Sequence, residues 1–163
     1  HRGFNFSNMG SSTKMSEHFS FMELTDSTSY PELVGQNMID ARGYEKQLKY
    51  TAYTLEKIRR VLGVPMKITS GFRNGALNKA VGGSPTSGHT KGLCADFIPL
   101  GLDTTDAFAM IQNSRDKCPS LKKCIYESVR GSKWLHIETK TEANQPQQFF
   151  TTSNGKTYTE IKA

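Results

Sequence analysis

Hydrophobic spacing changes period several times along the chain, and each change predicts an element. From Tyr44 to Leu62 the apolar or small residues Leu48, Ala52, Leu55, Ile58 and Leu62 recur at steps of three and four, the stripe of a core-facing helix, with Gly63 as its stop. Ahead of it, "HFSFMELTDS" offers Phe19, Phe21, Met22 and Leu24 as an apolar plug, followed by a loop bearing Gly, Asn and Pro. The period falls to two in "PMKITS" (65–70), where Met66 and Ile68 alternate as in a short strand. "GFRNGALNKAVGG" predicts a loop carrying a short helix, and "CADFIPL" the next strand. "DTTDAFAMIQNSRDK" (103–117) opens on an Asp or Thr cap and carries Ala107, Met110 and Ile111, which predicts a second helix. "KCIYESVRGSKWLHIE" is two strand-like runs around "RGS", a hairpin; the tail (147–162) repeats the pattern around Asn154-Gly155. The sum is an α+β fold, a single domain with helices set against a small, mainly antiparallel sheet.

Length and charge narrow this picture. The 163 residues suit one domain with one core. No apolar run approaches the roughly 20 residues of a membrane-spanning helix, so no membrane partner is expected. A formal charge of +6 favours something anionic, be it nucleic acid, a membrane surface or a bacterial envelope. The densest basic patches (Lys57, Arg59, Arg60; Lys122, Lys123) equally fit solvated faces. Cys94, Cys118 and Cys124 are an odd number without CxxC spacing, which argues against a disulfide framework or a cysteine zinc site. Cys118 and Cys124 could pair, but a reduced protein is the simpler reading. "HRGFNFSNMGSSTK" lacks the apolar stretch of a signal peptide, and Met15 reads as a possible start; residues 1–14 are taken as an arm or leader and 15–163 as the domain.

The chemistry concentrates in "SGHTKGLCADFIPLG" (87–101). Gly88 and Gly92 let the backbone pass closely around His89, and strand alternation puts Cys94 and Asp96 on one face. In "WLHIE", period two puts Trp134, His136 and Glu138 on one face and sends Leu135 and Ile137 to the core. Two histidines and an aspartate can close three corners of a tetrahedron around Zn²⁺ and leave the fourth for water, the mark of a catalytic site. Each residue alone also fits a structural role, a hydrogen-bonded histidine or a turn-capping aspartate, and the spacing is not a self-sufficient metal motif.

"SGFRNGALNKAVGGSPTSGHTKGLCADF" followed by "WLHIE" resembles the zinc D-alanyl-D-alanine peptidase family, which includes phage L-alanyl-D-glutamate endolysins and shares its fold with the hedgehog signalling domain. The family pattern SGxR, SxHxxGxAxD and WxH is met by Ser70-Gly71-Phe72-Arg73, by Ser87, His89, Gly92 and Asp96, and by Trp134 and His136; the core motifs span 68–138. Cys94 stands where a small Ala is usual. The resemblance implies a hedgehog-like DD-peptidase fold and His89, Asp96 and His136 as zinc ligands. It implies Arg73 as the guanidinium near the scissile carbonyl or substrate carboxylate, Ser87 and Trp134 as substrate-binding residues, and Glu127 as catalytic base. Many relatives carry the catalytic acid three residues before the last histidine; here that position is Lys133, so Glu127, expected roughly opposite His136 across the "RGS" turn, is preferred and Glu138 is the runner-up.

Peptide hydrolysis at neutral pH needs a nucleophile and charge relief on the carbonyl oxygen, and zinc can supply both while a glutamate moves the proton. The substrate implied is a peptidoglycan stem peptide, cut next to a D-amino acid by a carboxypeptidase-like or endopeptidase-like reaction. The expected setting is a monomeric phage endolysin or virion-associated lysin, held in the host cytoplasm before release to the wall. The alternatives are a non-catalytic zinc-binding module of the same fold and, on charge alone, a nucleic-acid binder; the expectation is no nucleic-acid partner.

Overall fold

A computed structural model describes residues 13–162, so most of the arm read at 1–14 lies outside the described residues. Thr13 and Lys14 belong to the fold: the Phe21 amide donates to Thr13 O at 2.6 Å, and Lys14 bridges Ser20. The loop expected before Tyr44 is instead helical, with a 3-10 turn at Pro31–Leu33, helix α1 (Val34–Ala41) and a second 3-10 turn at Arg42–Tyr44. The reason is tertiary. Asn37, a poor helix former by propensity, is buried and bonds three backbone groups: Nδ2 donates to Thr25 O (2.8 Å) and Phe72 O (3.0 Å), and Oδ1 accepts from Asn74 N (2.7 Å).

Helix α2 (Glu45–Leu62) follows the expected stripe, burying Leu48, Ala52, Leu55, Ile58 and Leu62, and ends at Gly63 with φ +70°. Strand β1 (Met66–Ser70), helix α3 (Gly75–Ala80), strand β2 (Cys94–Pro99) and helix α4 (Thr104–Asn113) come next. Asp103 caps α4 through the amides of Thr105 and Asp106, and the helix closes earlier than its pattern suggests, passing into a 3-10 turn at Arg115–Lys117. Strands β3 (Leu121–Val129) and β4 (Ser132–Thr139) form the expected hairpin, with Arg130 and Gly131 both at positive φ.

The tail departs from a simple meander. Strand β5 (Gln148–Thr152) pairs with β3 in parallel, and β6 (Thr159–Glu160) turns back on it across a loop at 153–158 rather than a two-residue turn. The sheet order is β1-β2-β4-β3-β5-β6, antiparallel except for β3–β5. One face carries Phe97, Leu135, Ile137, Cys124 and Phe149 against α2 and α4 in a single core, each large apolar side chain contributing about 1.5–3 kcal/mol by burial. On the other face, register aligns Ser70, Asp96, His136, Ile125, Phe150 and Glu160 in one row across all six strands. Strand alternation thus separates a dry side from a polar side, and the polar side holds the site.

Candidate metal centre

His89 sits in a 3-10 turn, Gly88–Lys91, that local chemistry holds closed. Ser87 Oγ accepts from the His89 amide at 3.2 Å, Thr51 Oγ1 on α2 donates to Gly92 O at 2.6 Å, and Gly92 takes φ +73°, a left-handed conformation that suits glycine. Gly88 is required for another reason, since a Cβ there would stand 2.5 Å from Cys94 Sγ. The His89 ring is buried, with Nδ1 2.7 Å from Gly71 O. A carbonyl only accepts, so Nδ1 carries the proton and the lone pair is left on Nε2, 3.4 Å from Asp96 Oδ1.

Asp96 and His136 are cross-strand partners on β2 and β4, and His136 Nδ1 lies 2.8 Å from Asp96 Oδ1. The two imidazoles meet edge to face, ring centroids 5.1 Å apart and planes at 61°. Arg73 Nη2 approaches Asp96 Oδ2 at 3.5 Å; its Nε donates to Ser70 Oγ (2.9 Å), its Nη1 to Asn78 Oδ1 (3.3 Å) and its amide to His89 O (3.0 Å). Burial works against a charged Asp96, but His89 and His136 outweigh it and hold the carboxyl well below the usual range. Burial pushes the His89 pKa down, Asp96 only partly opposing it; for His136 burial is more than offset by the adjacent Asp96 carboxylate, 2.8 Å away, and the pKa rises.

Glu127 faces Trp134 across the hairpin, not His136, whose partner is Ile125. The expectation was therefore off by one pleat repeat. Glu127 stays on the site face, diagonal to His136 and directly across the hairpin from Trp134. Burial and Asp96 raise the Glu127 pKa, with His136, Trp134 and Arg73 pulling the other way. Lys133 pairs with Ser128 and is exposed; in a regular strand a residue three before His136 points to the other face. Glu138 lies on the site face beside Cys94 but is neutralised by Lys122 (3.3 Å) and Lys123 (4.0 Å).

All seven residues singled out by sequence (Arg73, Ser87, His89, Asp96, Glu127, Trp134 and His136) line one cleft of about 620 Å³, within the size range of ligand sites. Among the described residues, two groups of donor atoms lie close enough to share an ion: His89, Asp96 and His136, and Cys94, His136 and Glu138. The first fits zinc by its chemistry, offering one carboxylate and two imidazole nitrogens, with the His89 tautomer fixed by Gly71 as ligating histidines usually are. All three cysteines are free and buried, and burial raises each thiol's pKa. What sequence missed is the support for Arg73: Asn37 and Asn78 carried no signal beyond being polar residues in loop- or helix-like context. Missed too are Phe150 and Tyr158, which line the same cleft from the tail.

A mixed sheet with two histidines and an aspartate converging beside a glutamate and an arginine defines a metallopeptidase-type site. Residues 17–138 match the family described as Peptidase M15, and the chain belongs to that family, whose members are zinc-dependent peptidases acting on peptidoglycan-type substrates. No curated protein matches the chain.

Proposed function

We propose that this protein is a zinc peptidase that hydrolyses peptidoglycan stem peptides at a bond next to a D-amino acid, working as a phage endolysin or virion-associated lysin on the host wall. The observation that carries the reading is the convergence of His89 Nε2, Asp96 Oδ1 and His136 Nδ1 in one cleft that also holds Glu127 and Arg73. A net charge of +6 suits an anionic wall mesh.

His89, Asp96 and His136 would hold the metal. Bound zinc supplies Lewis acidity, polarising a carbonyl and making water a stronger acid. The chain's own residues do the rest. Glu127, across the hairpin from Trp134, takes the proton from the attacking water and passes it to the leaving amine, a role worth roughly 10²–10⁴-fold. Arg73, fixed by Ser70 and Asn78, points its guanidinium at the developing oxyanion. Ser87 closes the turn that presents His89, and its position on the cleft rim lets it meet the substrate.

The test is digestion of purified peptidoglycan by the zinc-loaded protein, with mass spectrometry of the released muropeptides, which also tells a carboxypeptidase from an endopeptidase. Glu127→Gln is expected to lower the rate about 10²–10⁴-fold while zinc stays bound. Full lysis by Glu127→Gln would remove Glu127 from the mechanism, and no lysis by the parent protein would leave the non-catalytic zinc module as the reading.

A further inference from the structure

The family match ends at Glu138, yet the active-site cleft does not. Phe150, Gly155 and Tyr158, all from the tail, line it together with Glu127 and His136. Parallel pairing with β3 sets Phe150 beside Ile125 and Thr152 beside Glu127, and antiparallel pairing sets Glu160 beside Phe150. Tyr158 sits in the loop immediately before β6 and lines the same cleft.

The tail is built to hold that position. Phe149, on the opposite face, is buried in the core, 6.0 Å from Phe108 by ring centroids, with the Arg115 guanidinium 4.8 Å over its ring. The Ile161 amide donates to Phe149 O at 2.7 Å, and Gln112 Nε2 donates to Ile161 O at 3.1 Å. The loop braces itself: Asn154 Oδ1 accepts from the amides of Lys156 (2.8 Å) and Thr157 (2.9 Å), and Thr152 Oγ1 accepts from Gly155 N at 3.0 Å. Tyr158 Oη donates to Gly155 O at 3.1 Å, which ties the phenol back to the loop while the residue stays 47% exposed.

We propose that residues 148–160 form a substrate-binding wall of the cleft, in which Phe150 and Tyr158 grip the stem peptide and set which peptide is positioned for cleavage. An exposed phenol and a half-buried phenyl ring beside a polar cleft give a peptide both apolar contact and a hydrogen-bonding tip. Lys123, whose ammonium lies 5.7 Å from the Phe150 ring centroid and also lines the cleft, adds a cation suited to the free carboxylates of a stem peptide. With its O–H engaged by Gly155 O, the Tyr158 oxygen keeps its lone pairs to accept an N–H of the peptide.

This inference rests on the peptidase reading above, and its test separates the two. Steady-state cleavage of a defined stem peptide by Tyr158→Ala should show KM raised about tenfold with kcat within about threefold, the signature of lost binding shared by ground and transition states. The chain's single tryptophan, Trp134, lies in the cleft, so its fluorescence can report peptide binding to Glu127→Gln. Adding Tyr158→Ala or Phe150→Leu to that variant should weaken binding by a similar factor, with an unchanged melting temperature showing that the tail still folds. If the parent cleaves and the tail variants match it in KM and in binding, the wall is overturned and the peptidase reading stands. If the zinc-loaded parent neither cleaves the peptide nor changes its Trp134 emission, both are overturned.

Discussion

His136 belongs to two groups of donor atoms that look alike on paper and differ in charge. With His89 and Asp96 it surrounds a carboxylate whose neighbours are two imidazoles and the Arg73 guanidinium at 3.5 Å. With Cys94 and Glu138 it surrounds a carboxylate already answered by two lysines, Lys122 at 3.3 Å and Lys123 at 4.0 Å, beside a thiol that burial keeps protonated. Proximity of ligand types is the same in both. What separates them is that a cation entering the first meets a free lone pair on His89 Nε2 and displaces a proton only from His136, whereas a cation entering the second must displace ammonium groups and deprotonate a buried thiol.

The largest expected effect comes from breaking the first group. Asp96→Asn should drop zinc content from about one ion per chain to near none and cut peptide hydrolysis by at least about 10³-fold, since the metal's several kcal/mol of transition-state stabilisation goes with it. Metal analysis beside a digestion assay checks both.

A smaller effect is a shift in titration. In the metal-free protein the Glu127 carboxyl should titrate above the ordinary glutamate range, because burial and Asp96 both disfavour its charge. Its raised folded pKa means that this group favours folding at low pH, and that the contribution is lost as pH rises through the shifted value. Zinc held by Asp96 brings positive charge nearby and should move the Glu127 titration down. Carbon NMR of the side-chain carboxyl with and without zinc measures the change, and no movement on loading would place the ion elsewhere.

The smallest effect tests the second group. Cys94→Ala restores the residue usual in the family pattern; it should leave zinc content unchanged and activity within about threefold, because the thiol supports packing against Gly88 rather than ligation. Loss of the metal in this variant would reverse the assignment of the two groups.

How legible this was in the sequence depended on the range of the forces involved. The α2 stripe, the β3–β4 hairpin and the alternation that puts Asp96 and His136 on one face are local patterns, and they emerged as expected. Helix α1 was hidden because Asn37 gains its place from bonds to Thr25, Phe72 and Asn74, up to 37 residues away. The Glu127 register depended on the hairpin turn centring on Arg130 and Gly131, which shifted its partner from His136 to Trp134. The tail's hairpin signal at Asn154-Gly155 was visible, but its parallel docking beside β3, and so the arrival of Phe150 and Tyr158 at the site, is a topological fact that no local pattern encodes.

X-ray absorption at the zinc edge of the loaded protein addresses the central claim most directly. The account predicts nitrogen and oxygen neighbours alone, at about 2.0–2.2 Å, contributed by His89, Asp96 and His136. A sulfur neighbour at about 2.3 Å would put the ion with Cys94 and contradict it.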